Sequence, residues 1–189
     1  MQSQITAYPK AERIAPDILD AIFTHTKGIV LSQVCELSHL ESTTIQNWVK
    51  RFLVPPPKHK LYDCSSVARI LIVDLLRDCL PLESISFLLT CINGQLLDIS
   101  DDVITETELY RILYHLIGNI DGAFSNDPRL IDVLITEHGP KFEDEIVQQR
   151  VDSSLRTMLL AYCSVRLKSL AKAHLAELQN ELKNEIGES

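Results

Sequence analysis

The stretch TTIQNWVKRFLVPPPKHKLY, residues 43–62, decides the fold of the N-terminal half of the chain. It begins as a helical segment in which the apolar residues Ile45 and Trp48 lie three positions apart. Three consecutive prolines follow, and each one lacks a backbone N–H and restricts the residue before it. The helix must therefore end before Pro55. The order of residues predicts a short helix over 42–51 and a stiff extended wing over 52–62.

The residues before this stretch predict a second short helix that packs across it. Val34 and Leu37 are apolar and three positions apart, so they form an inward face. We expect this face to meet Ile45 and Trp48 across a tight turn at 38–41. Cys35 is small enough to let the two helices approach closely. The pattern is that of a helix-turn-helix, with 42–51 as its recognition helix.

The outward side of the recognition helix and the wing carry residue types that bind DNA. Gln and Asn side chains pair in two places with adenine, and Lys and Arg reach guanine or phosphate. In this hypothesis the polar helix residues read bases, the cations hold phosphates and the tyrosine orders the wing. The alternative is a polar helix face without a ligand. The predicted DNA-binding residues are Thr43, Thr44, Gln46, Asn47, Lys50, Arg51, Lys58, His59, Lys60 and Tyr62.

The charge of the chain is distributed unevenly. The formal net charge is −8, which by itself disfavours contact with phosphates. Residues 41–62, however, carry four cations and one anion, a net charge of +3, which leaves −11 for the remainder. This asymmetry is consistent with one basic face on an acidic protein, although four cations by chance would give the same count.

The rest of the chain predicts helices, and 46% hydrophobic residues are enough to bury a core. A helix over 15–25 ends near Gly28, Asp63 begins another, and a later helix over 96–118 is acidic at its start and ends at Gly118. The predicted class is all-α with at most a small β wing. The predicted domains are an arm and short helix at 1–28, a winged helix-turn-helix at 29–92, and a helical dimerisation or effector region at 93–189.

The C-terminal region contains no proline after residue 140, so we expect one long helix or two nearly continuous ones. Apolar residues form two stripes along it, whose registers differ near residues 166–169. Each stripe suits packing within the chain and across a homodimer equally well, and the second also suits a coiled-coil seam. The first stripe is Val151, Leu155, Met158, Tyr162 and Val165; the second is Ala171, Leu175, Leu178 and Leu182.

Residues 29–115 resemble the DNA-binding domain of MerR-type winged-helix regulators, and resemble still more an uncharacterised bacterial domain-of-unknown-function family near that type. In MerR-type proteins a helix-turn-helix is followed by a Pro-Pro wing, a tyrosine and a helix that begins Leu-Glu-x-Ile. Pro55 and Pro56 match the wing prolines, Tyr62 matches the tyrosine, and LESI at 82–85 matches the helix motif. The chain departs from the pattern at His39, which replaces the turn glycine.

The resemblance and the basic face predict a sequence-specific transcriptional regulator that binds double-stranded DNA, as a homodimer through the C-terminal helix. The alternative is a non-catalytic helical module that binds another protein. No motif of an enzyme is present, and the six histidines are scattered, so we expect no enzyme and no cofactor.

Five cysteines without metal-ligand spacing predict free thiols and no metal site. Neither a signal-peptide pattern nor an apolar run of 18 residues occurs in the sequence. We therefore expect a cytoplasmic protein without a membrane segment.

Overall fold

The computed structural model describes residues 13–93, 103–123 and 128–187. Within these ranges the chain forms eight α-helices and one two-stranded antiparallel sheet, which confirms the predicted all-α class with a small β wing. In chain order the elements are α1 (Pro16–His25), β1 (Ile29–Val30), α2 (Leu31–Ser38), α3 (Ser42–Lys50), β2 (Leu61–Tyr62), α4 (Cys64–Leu76), α5 (Leu82–Asn93), α6 (Glu106–Ala123), α7 (Pro128–His138) and α8 (Glu145–Gly187).

Helices α2 and α3 form the predicted helix-turn-helix. Val34, Ile45 and Trp48 are all buried, so the inward faces deduced from the apolar spacing are those that pack. The turn between the helices is short because His39 caps α2 in the left-handed conformation, with φ 57° and ψ 23°. His39 thus adopts the left-handed conformation that glycine usually adopts at this position, because histidine tolerates a positive φ better than most residues do.

The sheet connects the residues before α2 to the end of the wing. Ile29 pairs with Tyr62 and Val30 with Leu61. Gly28 was expected to cap α1, but that cap is Thr26 in an extended conformation. A Cβ on Gly28 would lie 2.8 Å from the Leu61 Cβ. The glycine is therefore required where the two strands approach, and not where the helix ends.

The remaining helices share one hydrophobic core with the helix-turn-helix. Asp63 caps α4 as predicted, since its carboxylate accepts a hydrogen bond of 2.8 Å from the Ser66 N–H. Helix α4 packs chiefly on α6, and α5, α6 and α7 pack on α8. This core contains residues from both sides of positions 28 and 92. The two domain boundaries predicted at these positions stay predictions.

Helix α6 differs from its prediction at both ends. Residues 103–105 are not helical, and the acidic residues of 97–102 lie outside the described residues. At the other end α6 continues through Gly118 to Ala123. Ile117 and Ile120 on either side of the glycine are buried, and their burial outweighs the helix-breaking tendency of one glycine, about 1 kcal/mol.

Helix α8 is a single helix of 43 residues whose two apolar stripes have different surroundings. Val151, Leu155 and Met158 of the first stripe are buried in the core. Leu175, Leu178 and Leu182 of the second stripe are 53–56% exposed. Within the described part of the chain, packing therefore covers the first stripe and leaves the second open. No helix in this part is both long and apolar enough to cross a bilayer.

Candidate nucleic-acid interface

Helix α3 presents a polar face to solvent. Thr43, Gln46, Asn47 and Lys50 are exposed, and Thr44 is half-buried. On the opposite side Ile45 and Trp48 anchor the helix in the core. The guanidinium of Arg77 on α4 lies 5.9 Å from the centre of the Trp48 ring and helps to fix this anchor. The side chains predicted to read bases are thus accessible on a helix that is held from behind.

The end of α3 is a Schellman motif built on an unusual residue. The Leu53 N–H donates to the Trp48 carbonyl at 2.9 Å, and the Phe52 N–H donates to the Val49 carbonyl at 3.1 Å. Phe52 has a φ of 56° at the position where glycine is preferred. Its side chain is 73% exposed, so no packing compensates for the strained backbone.

This strain leads to a prediction about stability. Phe52→Gly should raise the free energy of unfolding by about 0.5–1 kcal/mol, because relief of the left-handed strain exceeds the added entropy of the unfolded chain. Urea denaturation measures the change, with an unchanged slope against urea concentration. Phe52→Ala is the matched control, since it removes the same phenyl ring but keeps a Cβ on the left-handed residue. An equal gain in both variants would contradict the backbone explanation.

The wing tip is a two-residue turn. Lys58 and Leu61 exchange two backbone hydrogen bonds, of 3.0 Å and 2.9 Å. His59 and Lys60 between them have φ values of 52° and 65°, as the turn requires. Asn-Gly is the usual sequence in such a turn. Here a histidine and a lysine occupy the turn, and both side chains are exposed to solvent.

Tyr62 is part of the core and not of the exposed surface, which corrects its place among the predicted contacts. Its side chain is 3% exposed, and its backbone pairs with Ile29 in the sheet. Burial raises the pKa of the Tyr62 phenol, so the group stays neutral. The burial of Tyr62 and its pairing with Ile29 hold the end of the wing against the residues before α2, and its role in ordering the wing for DNA stays a prediction.

Arg51 does not extend freely from the end of α3. Its guanidinium forms an ion pair with the Glu83 carboxylate on α5. The charge predicted for a phosphate is therefore shared with an acidic side chain of the same molecule. Lys50, Lys58 and Lys60 are exposed, and none of the three has an ion-pair partner among the described residues.

An open cleft of about 580 Å³ separates α3 from the wing. Apolar side chains form its floor, and Gln46, Lys50 and Lys60 stand at its edge. Ser32 in the first turn of α2 also lines the cleft, a position that no sequence signal had indicated. The cleft joins the polar face of α3 to the basic wing tip in one surface, which we name the basic cleft. Its lining consists of Val30, Leu31, Ser32, Gln46, Val49, Lys50, Pro57, Lys60 and Tyr62.

Two cysteines near this surface, Cys35 and Cys64, are partly buried. All five are free. Burial raises the pKa of the Cys35 and Cys64 thiols, and a thiol is a weaker nucleophile and ligand than a thiolate. Within the described ranges, no group of three or more His, Cys, Asp or Glu residues is placed to hold a metal ion.

Comparison with known proteins assigns the chain to a family. The family model described as domain of unknown function DUF1836 matches residues 18–113, slightly more than half of the chain, so the chain belongs to this family. The match begins in α1 and ends within α6, and it contains the whole helix-turn-helix and wing. The predicted resemblance to a domain-of-unknown-function family is thereby confirmed.

One curated relative is the uncharacterized protein YkrK of Bacillus subtilis (strain 168). It is 33% identical over 96 residues, which cover 49% of this chain and 41% of the relative. The alignment therefore spans less than half of the relative's own length. No solved structure matches the chain.

Proposed function

We propose that the protein is a sequence-specific, double-stranded DNA-binding transcriptional regulator of the MerR-like winged helix-turn-helix type. The observation that carries the proposal is the basic cleft. Gln46, from the exposed polar face of α3, lines this cleft together with Lys50 and Lys60, and neither lysine has an ion-pair partner among the described residues. Amides and hydroxyls suit base edges, and lysines suit phosphates.

In this proposal α3 lies in the major groove. Thr43, Gln46 and Asn47 contact base edges, and Thr44 contributes through its exposed part. Lys50 contacts a phosphate from the helix, while Arg51 contributes less because Glu83 shares its charge.

The wing contacts the backbone through Lys58, His59 and Lys60. His59 and Lys60 occupy a turn that would be more stable with Asn-Gly. Residues kept at a conformational cost commonly serve a function, and positive charge at the wing tip is such a function. This conformational cost is a second reason, independent of the net charge, to propose that the wing contacts DNA.

The partner in DNA binding is a second copy of the chain, paired through the open stripe of α8. The spacing of Ala171, Leu175, Leu178 and Leu182 is that of a heptad seam. About 30 Å of helix follows residue 166, long enough for a short coiled coil. A homodimer would place two recognition helices roughly 34–36 Å apart, one turn of duplex.

The remaining features fit a regulator inside the cell. Five free cysteines suit a reducing compartment, and we place the protein in the cytoplasm. We propose no catalytic activity and no cofactor. The second candidate function is a helical module that binds a different protein, which the same exposed leucines of α8 favour.

Selection of bound duplexes from a random pool tests the proposal. Wild-type protein should enrich a related set of sequences, and the same selection with Lys50→Ala/Arg51→Ala should enrich them weakly. Binding should weaken steeply as salt rises, because each phosphate contact releases counterions. Absence of enrichment with wild-type protein would reject DNA binding and favour the second candidate.

A further inference from the structure

A buried arginine joins the wing to the C-terminal helices. Arg69 on α4 is 2% exposed. Its Nε donates to the Leu53 carbonyl at 2.7 Å, and its guanidinium also donates to the Glu106 carboxylate at 2.8 Å. Ser65 donates a hydroxyl hydrogen bond of 3.0 Å to the other Glu106 oxygen. One guanidinium thus holds a wing carbonyl and an α6 carboxylate together.

Leu53 is the point at which the recognition helix becomes the wing. Its N–H closes the Schellman motif of α3, and its carbonyl binds Arg69. After Val54, prolines 55–57 restrict the backbone, so a displacement of Leu53 is carried along a stiff segment toward the turn at 58–61. The hydrogen bond from Arg69 therefore fixes the base of the wing.

Glu106 is the first residue of α6, a helix with contacts in several directions. Arg111 of α6 forms an ion pair with Asp20 of α1. Asp121 near the other end accepts hydrogen bonds from Arg13 at 2.9 Å and Arg166 of α8 at 3.1 Å. The position of α6 is thus linked to α1 and α8 by charged contacts, and to the wing by Arg69.

We propose that Arg69 and Glu106 act together as a positioning pair through which α6 sets the wing for DNA. The inference rests on the proposed function, because it concerns the same wing. Neither side chain touches DNA; each acts through Leu53. Events on α6 and α8, including association of a second copy on α8, then alter DNA affinity by displacing or fixing the wing.

The energetics of buried ion pairs support a positioning role. Replacement of such a pair by apolar residues of similar volume is often neutral for stability, whereas removal of one partner alone is strongly destabilising because it leaves a buried charge unpaired. A pair that is not needed for stability alone can still define a unique arrangement of the groups it bonds. The double replacement Arg69→Met/Glu106→Leu should therefore keep the fold while it removes the hydrogen bond that fixes Leu53.

Amide hydrogen exchange tests the pair without DNA. The Leu61 N–H bonds to the Lys58 carbonyl in the wing turn and reports its order. In the Arg69→Met/Glu106→Leu variant we expect the amide proton of Leu61 to exchange at least tenfold faster. The amide proton of Arg77, which donates to the Val73 carbonyl at the end of α4, should exchange at an unchanged rate. Arg156→Gln/Asp132→Asn is the control, because it removes an ion pair between α8 and α7 that does not involve α6 and should leave exchange at Leu61 unchanged.

DNA titration supplies the second readout, in a double-mutant cycle. The double replacement should weaken binding about tenfold and reduce the salt slope by roughly 2, the value for two phosphate interactions. Combination with Lys58→Ala/Lys60→Ala should add little further loss, because both changes disable the same wing. Combination with Lys50→Ala should be additive.

The outcomes distinguish the inference from the proposed function. Unchanged exchange at Leu61, equal acceleration at Leu61 and Arg77, or full additivity with the wing lysines would overturn the positioning pair. Absence of DNA binding by wild-type protein would reject the proposed function, and the exchange measurement would still decide whether the pair fixes the wing.

Discussion

Lys50→Ala/Lys58→Ala/Lys60→Ala should weaken binding to a selected duplex by about 100-fold or more, because it removes three phosphate interactions worth roughly 1–1.5 kcal/mol each. All three side chains are exposed and have no ion-pair partner among the residues that the structure describes. The plot of log affinity against log salt should become shallower by roughly 2.7, or 0.9 for each phosphate interaction. Titration of labelled duplex at several salt concentrations measures both quantities.

The matched control removes the same charge elsewhere. Lys141→Ala/Arg150→Ala/Lys183→Ala deletes three exposed cations outside the basic cleft and lowers the net charge equally. It should leave the salt slope unchanged, because local charge at the interface and not total charge determines contact with phosphates. An equal loss of affinity in both triple variants would show that binding is non-specific attraction, and the basic cleft would lose its role.

Leu175→Glu/Leu178→Glu should convert a dimer to a monomer and lower affinity for a two-half-site duplex by about 10²–10⁴-fold, the advantage of joining two binding modules. Both leucines are more than half exposed on the open stripe of α8. The fold of the remaining chain should be unaffected, since this part of α8 does not enter the core. Analytical ultracentrifugation gives the oligomeric state, and titration with one and two half-sites gives the affinities.

A control variant places the same two charges on the outer side of the same turns. Ala176→Glu/Asn180→Glu lies outside the heptad seam and should leave both the dimer and the affinity intact. A wild-type monomer at micromolar concentration would contradict the seam. Loss of the dimer without loss of affinity would show that one copy of the chain suffices for DNA binding and that the open stripe of α8 serves another purpose.

Sequence reasoning succeeded where the determining contacts are local. Val34, Ile45 and Trp48 lie within fifteen residues of one another, and their spacing alone identified both helices and their inward faces. The prolines at 55–57 likewise fixed the end of α3. Exposure of Gln46 and Asn47 followed directly, because residues on the other side of a short helix have to face solvent.

The predictions that were wrong or incomplete concern contacts between distant parts of the chain. Gly28 is needed because Leu61, 33 positions later, packs against its backbone. Arg51 is neutralised by Glu83 from α5, and Arg69 is held by Glu106 from α6. No local pattern marks such pairs, since an isolated arginine in a sequence is equally consistent with solvent, DNA or a buried partner.

The length of α8 beyond the core has a consequence for folding as well as for assembly. Isolated helices shorter than about 12–15 residues are marginal in water, and a somewhat longer one without packing also unwinds partly. The segment after residue 166 has most of its leucines exposed, and in the proposed dimer it would gain packing by pairing with a second copy of the chain. The helical content of the protein, measured by circular dichroism, should therefore rise with concentration, so that dilution uncoils the tail as it separates the subunits.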